Sequence, residues 1–386
     1  MIKKKLAWIP LSVGMMTGKR YFQVNKVIYF IKEYQSARFK LYALLLTICC
    51  LLISLSSCAS PRALIDKSAR GKILWPGYPE EPRIQYLWTV SQISTAIEGR
   101  KRGLFDFVMG EVLEDVTDPR TSNVMMRPYS VFVDLKQRLY VTDPGAYRVT
   151  VVDLKTANVI NIFGTEKDKF QSPIGVVADY GGRIYISDSI LANVYVFDEK
   201  GNYLFQFEGE FKRPTGIAID TGSSRIYLSD TLEHKLYIYS LEGKHIGSIG
   251  KPGSLPGELN FPTHLFVDKD GLLYVTDAMN FRVQIFDPEG KFIGKVGVLG
   301  DAYENLDKPK GVAVDTHGNI YIVDSIWDTV KIFDRDGNSL MYFGKKGHRY
   351  GNFYMPSGIF IDQNNIIYVA DTYNLRVQAF QFIGEE

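Results

Sequence analysis

The chain has 386 residues, with 45 Lys and Arg against 43 Asp and Glu, and hydrophobic residues make up 46% of it. These are ordinary values for a globular protein, and they exclude a disordered chain, a collagen and a polytopic membrane protein. Residues 1–57 hold nine of the basic residues and one acidic residue, so the rest of the chain has a formal charge of −6. Such a chain lacks the basic surface that binds phosphate backbones, so nucleic acid is not an expected partner.

An apolar run at residues 41–55 predicts a secretory signal segment, because basic residues precede it and it has the length of an h-region. As a helix it would be too short for a bilayer core of about 30 Å. The run ends in Leu-Ser-Ser-Cys58, which resembles the lipobox of bacterial lipoproteins. The resemblance implies that Cys58 receives a diacylglycerol and becomes the mature N-terminus. The alternative is an uncleaved signal anchor in which Cys58 is incidental.

The lipobox resemblance also implies a place in the cell. The protein would be lipid-anchored in the bacterial cell envelope, on the periplasmic or the surface side. The outer membrane is favoured because Ala and Ser follow Cys58 where an inner-membrane protein would have Asp. Residues 1–57 are thus an N-terminal extension with a signal peptide. Residues 58–83 are predicted to be a linker, since they contain four prolines and show no sustained period.

Six segments repeat the pattern Pro-x-x, a short β-branched run and Asp, at intervals of 41 to 48 residues. Each is followed by a second short strand that also ends in Asp, and then by a third strand. This period, with four β-rich segments per unit, is typical of propeller blades. The six first strands are residues 128–134, 173–179, 214–220, 262–268, 309–315 and 356–362.

A strand is also predicted ahead of the first repeat, at residues 84–90, while the sixth repeat stops at Phe382 without a fourth strand of its own. Pairing the two would close the ring and cover an otherwise exposed sheet edge. The sequence therefore predicts an all-β, six-bladed β-propeller of four-stranded blades over residues 84–386. Its N-terminal strand would complete the last blade, and the propeller is expected to be monomeric. Residues 103–114 add a predicted short helix packed on the propeller, because their apolar residues approximate a helical stripe. The alternative is an element that docks a partner.

The repeats resemble the NHL family of six-bladed propellers over residues 84–383. Glycine-rich loops before Pro262 and Pro356 match the fuller family pattern, and an Asp-x-x-Asn-x-Arg-Val element occurs twice. That element contains Asn280 and Arg282 in the fourth repeat, and Asn374 and Arg376 in the sixth. The resemblance implies the fold and says much less about function.

Residues that recur in every repeat are interpreted as structural. Two aspartates per repeat would cap turns, their carboxylates accepting backbone N–H groups. The tyrosine in each second strand would pack between blades. The glycine-rich loops are interpreted as turns, because no Gly-Lys-Ser/Thr follows them to form a phosphate site.

Departures from the repeat point to the candidate site. At the third position of the first strand, four repeats have glycine, whereas the others have Ser130 and His264. First strands line the channel of a propeller, so His264 and the neighbouring polar residues Ser130 and Lys310 would lie at its mouth. Two interpretations of His264 stay open, a channel-mouth ligand or base and a gap-filling histidine.

The loops after the second strands would share that face of the propeller. They carry aromatic, basic and amide residues, which are common in protein interfaces. Trp327 stands where the family pattern has Asn-x-Arg. The candidate binding residues in these loops are Tyr147, Arg148, Asn280, Arg282, Trp327, Asp328, Asn374 and Arg376.

The sequence therefore favours a non-catalytic binding or scaffold propeller that recognises an envelope protein or a polar ligand on this face. No catalytic residue and no cofactor other than the acyl lipid on Cys58 are predicted. The alternative is a metal-dependent enzyme, similar to peptidyl-hydroxyglycine lyases or lactonases, with a channel-mouth site that includes His264. Against the lyase resemblance, the other four histidines fall outside the matching strand starts. A third interpretation, a small-molecule sensor, would need an output domain.

Overall fold

The computed structural model describes residues 61–384, apart from residues 78, 95–117, 301 and 303. The predicted signal peptide, Cys58 and the predicted helix over residues 103–114 lie outside the described residues. Three strands come before the repeats: β1 (Arg62–Asp66), β2 (Leu74–Trp75) and β3 (Ile84–Ser94). The described helices are three short 3-10 turns, Pro119–Thr121, Ala278–Asn280 and Thr372–Asn374. Within the described residues no helix is long and apolar enough to cross a bilayer.

Five blades are four-stranded antiparallel sheets whose strands follow one another in chain order. They are blade 1 (β4 Val131–Val133, β5 Arg138–Asp143, β6 Arg148–Asp153, β7 Val159–Ile162), blade 2 (β8 Pro173–Ala178, β9 Ile184–Asp188, β10 Asn193–Phe197, β11 Tyr203–Gln206), blade 3 (β12 Pro214–Asp220, β13 Arg225–Asp230, β14 Lys235–Ser240, β15 His245–Ile249), blade 4 (β16 Pro262–Val267, β17 Leu273–Asp277, β18 Arg282–Phe286, β19 Phe292–Val296) and blade 5 (β20 Pro309–Val314, β21 Ile320–Asp324, β22 Thr329–Phe333, β23 Ser339–Phe343).

Blade 6 closes the ring as predicted. Its strands β24 (Ile359–Ile361), β25 (Ile366–Asp371) and β26 (Arg376–Phe382) continue into the N-terminal strand β3. The β3–β26 pairing is antiparallel and aligns Phe382 with Ile84 and Val377 with Val90. The all-β, six-bladed architecture and its closure by an N-terminal strand are therefore confirmed.

The structure differs from the predicted linker over residues 58–83, because part of this range is built into blade 6. Strand β1 pairs with the outer edge of β3, and β2 pairs with its beginning. The chain also reaches blade 1, where Pro61 O accepts a hydrogen bond from Val159 N at 3.0 Å. The segment thus covers the outer edge of the closing blade and joins it to the first blade.

The recurring tyrosine of each second strand packs between blades, as predicted. All six are buried, and each lies in an apolar cluster with residues of the following blade. In five blades the hydroxyl also donates to the aspartate at the end of its own first strand, as Tyr321 does to Asp315 at 3.0 Å. Each tyrosine therefore fills the space between two blades and stabilises a turn.

Glycine recurs in the first strand because neighbouring blades approach closely there. A Cβ atom on Gly216 would lie 2.0 Å from Thr263 O, and one on Gly175 would lie 2.5 Å from Thr215 O. These contacts are with backbone, which cannot move aside as a flexible side chain could. The innermost strands that carry glycine thus need it to approach the next blade this closely.

Two faces of the propeller follow from this topology. We call the face where the first strands begin the start face; it also carries the loops between second and third strands and between successive blades. We call the opposite face, where the first strands end, the funnel face.

Candidate functional site

The aspartates that end the second strands lie on the start face and are fully buried. Each accepts at least one backbone N–H from the loop that precedes its own blade. Asp188 Oδ2, for example, accepts from Gln171 N at 2.8 Å and from Ser172 N at 2.9 Å. The predicted capping role is therefore what the structure shows. The six residues are Asp143, Asp188, Asp230, Asp277, Asp324 and Asp371.

In blades 4 and 6 this aspartate is the centre of a larger polar network. Asp371 Oδ2 accepts from Asn374 Nδ2 at 2.8 Å, Arg376 Nε at 2.8 Å and Gln378 Nε2 at 3.0 Å. Burial raises the pKa of the Asp371 carboxyl, and the Arg376 guanidinium opposes that shift. The same arrangement surrounds Asp277. Such a network is costly to break, because the aspartate, arginine and glutamine are buried and the half-buried asparagine completes their hydrogen bonds.

The structure places several predicted rim residues inside this framework. Arg376 is buried and donates to three backbone carbonyls of the loop before blade 6, His348 O, Arg349 O and Asn352 O. Arg282, Asn280 and Asn374 likewise bind loop carbonyls. These side chains hold the start-face loops in place.

Arg148 has the same kind of role in blade 1. Its guanidinium donates to Ser122 O at 2.8 Å and to Val124 O at 2.9 Å, and it is almost completely buried. Burial lowers the pKa of Arg148, with the Asp143 carboxylate acting in the opposite direction. Arg148 thus ties the segment before blade 1 to the propeller.

The remaining loop residues differ in exposure. Asp328 is buried, its Oδ1 accepts from Met355 N at 2.5 Å, and burial raises the pKa of its carboxyl. Trp327 is half-buried, with Lys331 Nζ 5.2 Å from its ring centroid. Tyr147 is exposed, and the Arg120 guanidinium lies 5.5 Å from its ring. Tyr147 is therefore the exposed member of the predicted rim, and Trp327, Asn280 and Asn374 are half-buried.

His264 closes the channel instead of opening into a cleft. Its ring stacks on Tyr129 of blade 1 with a centroid separation of 5.4 Å, and Lys310 Nζ lies 5.0 Å from the centroid of Tyr129. His264 is 8% exposed, and its Nε2 has no hydrogen-bond partner among the described residues. Burial, with a smaller contribution from the Lys310 charge, lowers its pKa to about 3. Beneath it is a central cavity of about 60 Å³, which Ser130 also lines.

The residues around His264 do not suit a divalent metal ion. One imidazole is present, and the nearest charged group, Lys310, is itself a cation. Within the described residues no group of three His, Cys, Asp or Glu side chains could hold a metal. The arrangement therefore offers a neutral histidine in a stack and no ligand set.

The start face also carries exposed apolar side chains at one recurring loop position, two residues after the buried aspartate. Five blades have such a residue there, each between 45% and 63% exposed, and blade 1 has Gly145. We call these five residues the apolar ring. They are Ile190, Leu232, Met279, Ile326 and Tyr373.

Comparisons with known proteins agree with this architecture. Three family models match parts of the chain: a 6-bladed beta-propeller at residues 212–295, a beta-propeller repeat at residues 296–323 and an NHL repeat at residues 353–380. The chain is an all-β six-bladed propeller. No curated protein sequence matches it.

Solved structures resemble this propeller at low sequence identity. Virginiamycin B lyase from Staphylococcus aureus is 14% identical, with a TM-score of 0.50 over 68% of this chain and 97% of that one. An auxiliary nutrient binding protein from Bacteroides ovatus is 14% identical, with a TM-score of 0.53 over 67% and 70% of the two chains. A protein of the same description from Bacteroides thetaiotaomicron is 12% identical, with a TM-score of 0.53 over 67% and 69%. Likenesses at these identities show the fold alone.

Two features of the start face were not predicted from the sequence. Gln284 and Gln378 complete the networks around Asp277 and Asp371, and the signal for them is the Arg-Val-Gln run that both repeats share. The apolar ring has a signal too, since a large apolar residue recurs two positions after the second-strand Asp in five of the six repeats.

Proposed function

We propose that this chain is a non-catalytic binding propeller, held in the bacterial cell envelope by a lipid on Cys58, and that its start face binds a protein partner. The observation that carries the proposal is the apolar ring. The five side chains project from loops and contribute nothing to the strand pairing, yet each keeps about half of its surface in water. We infer an interaction surface because all five lie on one face, where a single partner could cover them together.

The surroundings of the apolar ring support a protein partner. Tyr147 and Trp327 reach the surface on the same face, and such aromatic residues supply much of the energy of protein interfaces. The buried Arg148 and Lys331, which neighbour them, donate to loop carbonyls and so tie the start-face loops to the blades. A partner would therefore meet a preorganised surface and would not have to order the loops on binding.

Crosslinking in cells tests the partner surface with a matched pair of variants. The first changes one member of the apolar ring in each of blades 2, 4 and 5: Ile190→Ser, Met279→Ser and Ile326→Ser. The control changes an exposed aliphatic residue on the outer strand of the same blades: Leu204→Ser, Ile293→Ser and Leu340→Ser, which are 46–50% exposed against 52–63% for the ring residues. We expect the ring variant to lose about tenfold or more of the crosslinked partner and the control to keep it. Equal yields from both variants would contradict the proposal.

The lipid anchor has its own test in the same cells. Cells are grown with radiolabelled fatty acid, and the protein is followed by its label and by membrane fractionation. Cys58→Ala removes the thiol that a lipobox needs, so we expect this variant to carry no fatty acid label. If Cys58→Ala keeps the fatty acid label, lipidation at Cys58 is ruled out. An unlabelled wild-type chain that stays in the membrane fraction would indicate an uncleaved signal anchor.

A further inference from the structure

The funnel face has an open depression at its centre that no part of the proposed function uses. It has a volume of about 740 Å³, which is within the usual range for small-molecule sites. Its wall is formed by the ends of the six innermost strands and by the turns that follow them. We call this depression the funnel.

The floor of the funnel is aromatic. Phe132, Phe266 and Phe360 come from blades 1, 4 and 6, and all three are partly exposed. The ring centroid of Phe360 lies 4.8 Å from that of Phe132 and 6.0 Å from that of Phe266. The three rings lie between the funnel and the central cavity and leave apolar surface facing solvent. A ligand with an apolar body would gain free energy by covering them.

The rim of the funnel is apolar on one side. The first residue of the turn after each innermost strand lies on it, and Leu135 in blade 1 and Tyr180 in blade 2 are 57% and 67% exposed. The Tyr180 hydroxyl donates to Thr221 Oγ1 at 3.1 Å, which holds its ring at the rim. The apolar surface of the floor thus continues up the wall on the side of blades 1 and 2.

The charge of the wall is negative on the other side. Six aspartates and three basic residues line the funnel. Asp134, Asp179 and Asp268 form ion pairs with arginines. The other three aspartates have no ion pair within the described part of the chain and accept hydrogen bonds from turn amides and hydroxyls. These are Asp220, Asp315 and Asp362.

We propose that the funnel binds a small organic cation, an amine carried on an apolar or aromatic body. The apolar body would cover the phenylalanine floor, where the ring faces also attract a cation. The ammonium group would lie towards blades 5 and 6, within the field of Asp315 and Asp362. This site is separate from the start face, so it does not depend on the partner surface proposed above.

Three ligands of similar size test the proposal by calorimetry on the full chain in detergent. Phenethylamine, phenethyl alcohol and phenylacetate share one body and differ in charge. We expect phenethylamine to bind about tenfold more tightly than the alcohol, and phenylacetate to bind most weakly. Equal affinities for the three, or no binding of the amine, would overturn the proposal.

Surface variants check that the funnel is the site without disturbing the fold. Gln363→Lys adds a cation to the rim next to Asp362, and Lys269→Gln removes one from the rim of blade 4. We expect the first to weaken phenethylamine binding about three- to tenfold and the second to strengthen it. Lys291→Gln, in an outer turn of blade 4, is the matched control and should change nothing. An amine affinity that none of the rim variants alters would place the binding elsewhere and overturn the assignment.

Discussion

Each face of the propeller carries a ring of six aspartates, one per blade, and the two rings stabilise different parts of the structure. Aspartates on the start face are fully buried and accept hydrogen bonds from loops about 16 to 18 residues earlier in the chain. Aspartates on the funnel face accept mainly from the turn that directly follows them, as Asp315 does from His317 N. The first ring therefore joins separate segments, whereas the second stabilises local turns.

This difference underlies the two kinds of ligand proposed for the two faces. The start-face loops are held by buried charges, so they can present exposed apolar side chains in fixed positions. The turns of the funnel face are short and lie at the edge of the ring of innermost strands, so an open space remains between them. We therefore propose a protein partner for the first arrangement and a small molecule for the second.

The largest expected effect is on the free energy of unfolding, and it appears when one aspartate of each ring is replaced in blade 6. Asp371→Asn places an amide among donors from Asn374, Arg376 and Gln378, and leaves the buried guanidinium without its ion pair. We expect it to lower the free energy of unfolding by about 3–5 kcal/mol. Asp362→Asn, on the funnel face, should cost about 1–2 kcal/mol, because its partners are turn amides and one hydroxyl.

Urea unfolding of both variants gives the measurement, with the slope m compared to check that the unfolded states are alike. An equal loss of unfolding free energy in both variants would contradict the prediction, because it would mean that the start-face aspartates stabilise the fold no more than the funnel-face aspartates do.

A smaller effect should appear at His264 as a dependence of stability on pH. The unfolded chain takes up a proton on this histidine near pH 6.5, whereas the folded chain does so only near pH 3. The unfolded state therefore binds more protons between these values, and this contribution to stability falls as the pH falls. From pH 7 to pH 5 the loss should be about 2 kcal/mol.

His264→Phe keeps a ring against Tyr129 but cannot titrate, so its stability should fall less over the same range. His245→Gln, at an exposed position, is the control. A pH profile of His264→Phe that runs parallel to that of the parent protein would show that His264 is not the source of the effect.

Features that recur in every repeat could be predicted from the sequence. Features that depend on one tertiary contact could not be predicted. The blades and the strand at residues 84–90 follow from the period and from a missing partner strand. Strand β1 belongs to no repeat, so its pairing with β3 had no signal in the sequence. Arg282 and Arg376 were predicted to lie on the binding rim, but an arginine in a loop motif can point outward or inward. The buried aspartate five residues earlier draws both guanidinium groups inside.

The smallest expected effect is a difference in stability between blade 3 and the other blades when the buried tyrosine loses its hydroxyl. In five blades the buried tyrosine follows the first-strand aspartate by six residues, but Tyr227 follows Asp220 by seven. Asp220 Oδ2 accepts from Ser223 Oγ instead, and the Tyr227 hydroxyl finds no acceptor among the described residues. Tyr321→Phe should therefore cost about 1 kcal/mol, whereas Tyr227→Phe should cost nothing measurable or stabilise slightly. The urea midpoints of the two variants give the measurement. An equal loss of unfolding free energy in both would mean that the hydroxyl–carboxylate hydrogen bond does not stabilise the turn.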